Sequence, residues 1–166
     1  MPAHGPGVPA ADWDLTEQGR RAAESLRGVI PAGALLVSST EPKARQTLEP
    51  AGDVLTDERF NEVRLDGAYS DDFRAARREY VCGSDRAGWE TRAAVMDRFD
   101  SGVRYWQALA GARPLVIASH GMAMTVWLSG TVSIADAGGF WAGLSFPDVL
   151  EVDLDIPRVR RAELRR

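Results

Sequence analysis

The chain has 166 residues, 45% hydrophobic and 27% charged, which is enough for one domain with a real core. A formal net charge of −4 argues against general nucleic-acid binding, and no apolar run approaches the length of a membrane span. The lone Cys82 rules out an internal disulfide and fits a reducing compartment, and the start Met-Pro-Ala-His-Gly-Pro lacks the form of a signal peptide, so a cytoplasmic location is expected.

In chain order, residues 1–14 are rich in Pro, Gly and Ala and read as a loop. Thr16 is a good N-cap for a helix whose apolar positions Ala22, Ala23, Leu26, Val29 and Ile30 recur at helical spacing until Pro31 and Gly33 end it. Ala34 to Val37 predicts a short buried strand, closed by Ser38-Ser39-Thr40. A second helix then runs to Leu48, with Ser39 or Thr40 as its cap and Pro42 in its first turn. Asp53 to Phe60 reads as a strand and turn leading into Asn61-Glu62, and Tyr69 to Tyr80 as a polar, Arg-rich helix.

The longest predicted helix spans Trp89 to Ala110, with Val95, Phe99, Val103, Trp106 and Ala110 down one face. Leu115-Val116-Ile117-Ala118 is a continuous apolar run, the pattern of a strand covered on both faces. Ser119-His120-Gly121 then turns into a further apolar helix. Ser133 to Ala137 suggests another short helix, and Val149 to Leu154 alternates like a final strand. From Arg158 the chain carries five arginines against one Glu163, read as a solvated basic tail within residues 156–166. Alternating strand, polar turn and helix, without repeat or linker, predicts a single α/β domain with a mostly parallel sheet over residues 1–166.

Two of the strand-to-helix turns are alike. One carries Ser38-Ser39 with Lys43, the only lysine of the chain, just inside the helix; the other carries Ser119-His120-Gly121. Ligands of open α/β sheets bind at such strand tips, where helix amino ends favour anions. A cation in a first helical turn opposes the helix dipole, at a cost of about 0.3–1 kcal/mol, and a bound anion would reverse that sign. The plainer alternative is that Lys43 is exposed and pairs with Glu41 or Glu49, and that His120 is a hydrogen-bonded structural residue.

Four segments in register resemble a family: Trp13-x-Leu15-Thr16-x-x-Gly19-x-x-Ala22, Ser38-Ser39-x-x-x-Lys43-Ala44-x-Gln46-Thr47, Asn61-Glu62 and Ser119-His120-Gly121. Together they are similar to the histidine phosphatase superfamily, the phosphoglycerate mutase-like or branch 1 group. The resemblance implies a three-layer αβα sandwich that moves phosphoryl groups through a phosphohistidine without metal or other cofactor. It implies that His120 donates to phosphoryl oxygens and that Glu62 protonates the leaving oxygen. Lys43 stands where the family usually has an arginine; it keeps the charge but not the planar fork that grips phosphate at two points. Ser39, Ser119 and Gly121 belong to the same substrate-binding turns. The ligand implied is a phosphorylated small molecule or inorganic phosphate.

The family's Arg-His-Gly or Arg-His-Ala, which follows an apolar strand and supplies the nucleophile, has no full counterpart. Only Met1-Pro2-Ala3 precedes His4-Gly5. Either His4 is a degenerate nucleophile, or Met1-Pro2 continues an Arg-His-Ala encoded just upstream; the second account is preferred. Without that strand, unpaired backbone beside residues 115–119, lowered stability and no phosphohistidine turnover are expected. The leading reading is a phosphate monoester hydrolase of the histidine phosphatase type, truncated and inactive in this form, and the competing reading is a non-catalytic module that binds a phospho-ligand or a protein. A serine hydrolase lacks its Gly-x-Ser-x-Gly elbow, and two distant histidines make a poor metal site.

Overall fold

A computed structural model describes residues 2–3, 8–65 and 73–162. His4 lies outside the described residues, as do Tyr69 to Asp72 at the expected start of the Arg-rich helix and the last four residues.

The amino-terminal segment is not wholly loop. Pro2–Ala3 (β1) pairs antiparallel with Asp14–Leu15 (β2), and a 3-10 turn covers Ala10–Asp12. Thr16 caps the helix Glu17–Ala23 (α1) as expected, its hydroxyl accepting the Gly19 amide at 3.1 Å. That helix ends earlier than its apolar spacing predicts and continues as a 3-10 turn over Glu24–Gly28. Ser25 sits at the change, its Oγ donating back to the Ala22 carbonyl at 2.8 Å, a local bond of the kind that competes with the helical ladder.

Leu35–Ser38 (β3) leads into Pro42–Leu48 (α2). Neither Ser39 nor Thr40 caps α2. Thr40 gives its amide and hydroxyl to Asn61 Oδ1 at 2.8 and 2.9 Å, Ser39 faces His120, and Glu41 takes the cap position without a side-chain cap bond. Pro42, with no amide hydrogen to satisfy, fits the first helical position. Leu55–Thr56 (β4) and a 3-10 turn at Glu58–Phe60 follow, then Phe73–Val81 (α3). Arg92–Ala110 (α4) is capped by Thr91 and buries Val95, Phe99, Val103 and Ala110 as the spacing predicts.

Leu115–Ala118 (β5) precedes Gly121–Thr131 (α5). Ala137–Ala142 (α6) begins beyond the expected Ser133, because the Asp136 carboxylate accepts the Gly139 amide at 2.8 Å and fixes the start. Leu150–Asp153 (β6) is the expected last strand, but it has a partner: Arg158–Arg161 (β7) pairs with it antiparallel. The basic tail is therefore half of a hairpin, with Arg158, Arg160 and Arg161 set against Asp153, Glu151 and Asp148.

The central sheet runs β4-β3-β5, all parallel. From β3 the chain steps one way to β4 and later returns past β3 to β5. Right-handed crossovers then put α2 and α4 on opposite faces, which makes the three-layer α/β sandwich. Between β3 and β5 the connections diverge, the place where a crevice opens at the carboxyl ends of the strands. On one face the core gathers Phe60, Phe99 and Trp127; Phe60 meets Phe99 edge-on at 5.1 Å and Phe99 stacks on Trp127 at 5.0 Å. Gly102 lets Phe60 approach α4, since a β-carbon there would lie 2.8 Å from the ring.

β5 departs from the expected fully covered strand. All four of its residues are half-buried, and among the described residues it pairs only with β3. An edge strand keeps one row of backbone groups unpaired, which accounts for the exposure.

Candidate functional site

Because β3 and β5 are in register, Ser38 lies opposite Ala118, and the residues just beyond them meet. The Ser39 amide donates to the Ala118 carbonyl at 2.9 Å. Its hydroxyl lies 2.7 Å from His120 Nε2, with both side chains buried. Two serine-bearing turns 81 positions apart are thus locked together by an imidazole. Burial pushes that imidazole below its usual range. The Glu62 and Glu41 carboxylates oppose this shift, and Lys43 and Arg98 add to it.

Glu62 reaches the same place from the Asn61-Glu62 turn. Its Oε1 accepts the amides of Val63 at 3.0 Å and Ala123 at 2.9 Å, and its Oε2 lies 3.4 Å from the Met122 amide. His120 occupies the N-cap position of α5 without making a cap bond, so the orphan amides of that helix are satisfied by a carboxylate from across the site.

The turn that carries Glu62 is itself clamped. Thr40 holds Asn61 as described, and the Arg98 guanidinium on α4 donates to the carbonyls of Arg59 at 2.7 Å, Asn61 at 2.9 Å and Glu62 at 3.3 Å. Glu90, whose side chain is 3% exposed, balances Arg98 at 2.8 Å. Burial acts to raise the Glu90 carboxyl, but hydrogen bonds from Arg98 and from the Arg64 amide leave it below the usual carboxylate range.

Lys43 is neither wholly exposed nor free. Its side chain is 18% exposed, Nζ donates to the Ala10 carbonyl at 2.6 Å, and it forms an ion pair with Glu41. Of the two pairing partners the spacing allows, Glu41 is the one used; Glu49 faces Arg45 at 3.3 Å. Glu41 is buried, and its Oε1 accepts the Glu62 amide at 2.7 Å and lies 3.4 Å from His120 Nε2.

The structure thus brings Ser39, Lys43, Glu62 and His120 together at the tips of β3 and β5, with Glu41 contacting Lys43, His120 and the Glu62 amide. Ser119 stands aside, its hydroxyl donating to the Phe60 carbonyl at 2.8 Å. Gly121 opens α5 with Trp141 so close that a β-carbon would meet its Nε1 at 3.3 Å. Sequence reading missed Glu41 as a member of the site, and missed Arg98 and Glu90 as its support. Arg98 and Glu90 lie eight positions apart, a spacing that no helical pairing rule flags.

Chemically, a cation, an imidazole, a hydroxyl and two carboxylates around strand tips can hold an oxyanion and hand a proton to or from it. Among the described residues, no group of three or more His, Cys, Asp or Glu is placed to hold a metal ion, and no helix is long and apolar enough to cross a membrane. A cavity of about 350 Å³ lies between Gln107 of α4 and the β6–β7 hairpin and shares no residue with this cluster.

A sequence profile described as the histidine phosphatase superfamily (branch 1) matches residues 4–145. No curated protein sequence matches the chain. Among solved structures, it is similar to a mycobacterial glucosyl-3-phosphoglycerate phosphatase in complex with inorganic phosphate. The identity is 23%, the TM-score 0.67, and the match covers 92% of this chain and 87% of that one. A structure named mycobacterial hydrolase 1 is 26% identical with a TM-score of 0.60, over 81% and 75% of the two chains. YhfR of Bacillus stearothermophilus is 20% identical with a TM-score of 0.68, over 91% and 84%.

Proposed function

The chain belongs to branch 1 of the histidine phosphatase superfamily, and from that premise we propose that this cluster recognises the phosphoryl group of a small phosphate monoester or inorganic phosphate. The observation that supports this reading is the contact between Ser39 and His120 at 2.7 Å, which joins the two strand tips next to Lys43 and Glu62. One structural neighbour holds inorganic phosphate, and its name gives it glucosyl-3-phosphoglycerate as substrate.

In this proposal His120 directs a hydrogen bond at a phosphoryl oxygen, Lys43 supplies positive charge, and Glu62 stands where a leaving oxygen would take its proton. Ser39 fixes the imidazole. Charge spread over three equatorial oxygens is stabilised by donors and cations set in advance, so these roles suit phosphoryl transfer. The phosphohistidine step needs a second, nucleophilic nitrogen in line with the phosphorus. Among the described residues His120 is the only imidazole, and the reading proposed is binding by this chain without turnover.

Two measurements test the reading. Titration with inorganic phosphate is expected to show saturable binding that His120→Ala and Lys43→Ala weaken at least tenfold. Incubation with p-nitrophenyl phosphate is expected to release no product above background. Absence of phosphate binding would overturn the site assignment. Hydrolysis that disappears in His4→Ala but survives an unrelated loop substitution would overturn the absence of turnover.

A further inference from the structure

We propose that Glu41 is a built-in competitor for the anion, a carboxylate that sets how tightly inorganic phosphate is held; this rests on the phosphate-binding reading above. Glu41 is only 6% exposed, although it stands at the start of a surface helix in a position where side chains usually turn back to cap or point to water. It does neither. Its Oε2 pairs with Lys43 Nζ, while Oε1 accepts the Glu62 amide at 2.7 Å and approaches His120 Nε2 to 3.4 Å. One carboxylate therefore already faces both side-chain donors, the ammonium and the imidazole, that the proposal assigns to phosphate.

An incoming phosphate seeks those same donors and meets a like charge beside them. Two anions brought within a few ångströms at a partly buried site repel strongly, so phosphate must displace Glu41 from Lys43 or bind beside it at a disadvantage. A pocket of this kind holds the bare phosphoryl group weakly and draws affinity from the rest of the monoester. The ligand class it suits is a phosphate monoester that makes contacts beyond its phosphoryl group, and free inorganic phosphate leaves it readily.

Glu41→Gln keeps the side-chain volume and removes the charge, and Glu41→Ala removes the group altogether. Calorimetric titration with inorganic phosphate at pH 7.5 and fixed ionic strength is expected to show at least tenfold tighter binding in both variants than in the unmodified protein. Adding Lys43→Ala to either variant is expected to abolish the gain. Affinity that is unchanged or weaker in folded Glu41 variants, while the unmodified protein binds phosphate, overturns the competitor role and leaves the site assignment standing. Failure of the unmodified protein and of both variants to bind phosphate overturns the two together.

Discussion

The Glu62 carboxylate accepts the amide of Ala123 at 2.9 Å, although 61 positions separate them along the chain. A group on one turn thereby finishes a helix that begins beside the other strand tip. Glu62 thus has a structural duty besides any chemistry. Glu62→Ala is expected to lower stability by about 1 kcal/mol, the usual value of a lost N-cap, and Glu62→Gln by less, because an amide oxygen can still accept. Urea unfolding of the two variants checks the order.

Arg98 holds the carbonyls of Arg59, Asn61 and Glu62, and its charge is met by Glu90, 3% exposed. Removing one partner of a buried ion pair strands the other. Arg98→Ala is expected to cost about 3 kcal/mol and Arg98→Lys less, with the lysine unable to reach all of the carbonyls. Equal and small losses in both variants, by denaturant titration, would contradict the clamp.

His120 gives a signed pH dependence. Its folded-state pKa lies below the ordinary value of 6.5, chiefly because it is buried. Between those two values the unfolded chain binds more protons than the folded one. The stabilisation is therefore complete above about pH 6.5 and is lost as pH falls through the folded pKa. Asp57 and Glu90, both held below the carboxylate range, add losses only further down, from about pH 4.5. Melting temperatures of the parent and His120→Gln, compared from pH 7.5 to 5, are expected to converge on acidification.

Gly102→Ala drives a β-carbon to 2.8 Å from the Phe60 ring, one residue before the Asn61-Glu62 turn. Phe60 is fully buried and has nowhere to rotate. A loss of about 1–3 kcal/mol is expected, with shifts of the Asn61 and Glu62 amide resonances in a nitrogen–proton spectrum.

The periodic elements were legible in the sequence. Val95, Phe99 and Val103 marked α4 because a helix long enough to show its period cannot hide it. Thr16 stood out as an N-cap by its residue type and Asn61-Glu62 through the family resemblance, while Ser39 and His120 were each placed at a strand tip without their contact being foreseen. What was not legible depends on partners far away in the chain. Glu41 looked like a surface neighbour of Lys43; only the folded sheet turns it under the Glu62 turn. The arginines after residue 158 read as a solvated tail until Glu151 and Asp153 were seen across the hairpin from them. The open edge of β5 among the described residues was expected from the absent Arg-His motif and not from the apolar run, which looks the same whether or not a neighbour lies along it.

The edge of β5 that has no partner among the described residues has a consequence of its own. The Ala118 carbonyl points toward β3, and residues alternate, so the amides of Leu115 and Ile117 face outward. Between Leu115 and Ala118 there is no charge, bulge or proline to discourage a newcomer. Deuterium should therefore replace the Ile117 amide hydrogen far sooner than that of Val37, which is flanked by strands on both sides. Concentrated solutions should self-associate through this seam, an effect that sedimentation at rising protein concentration would reveal and that Ile117→Lys would suppress.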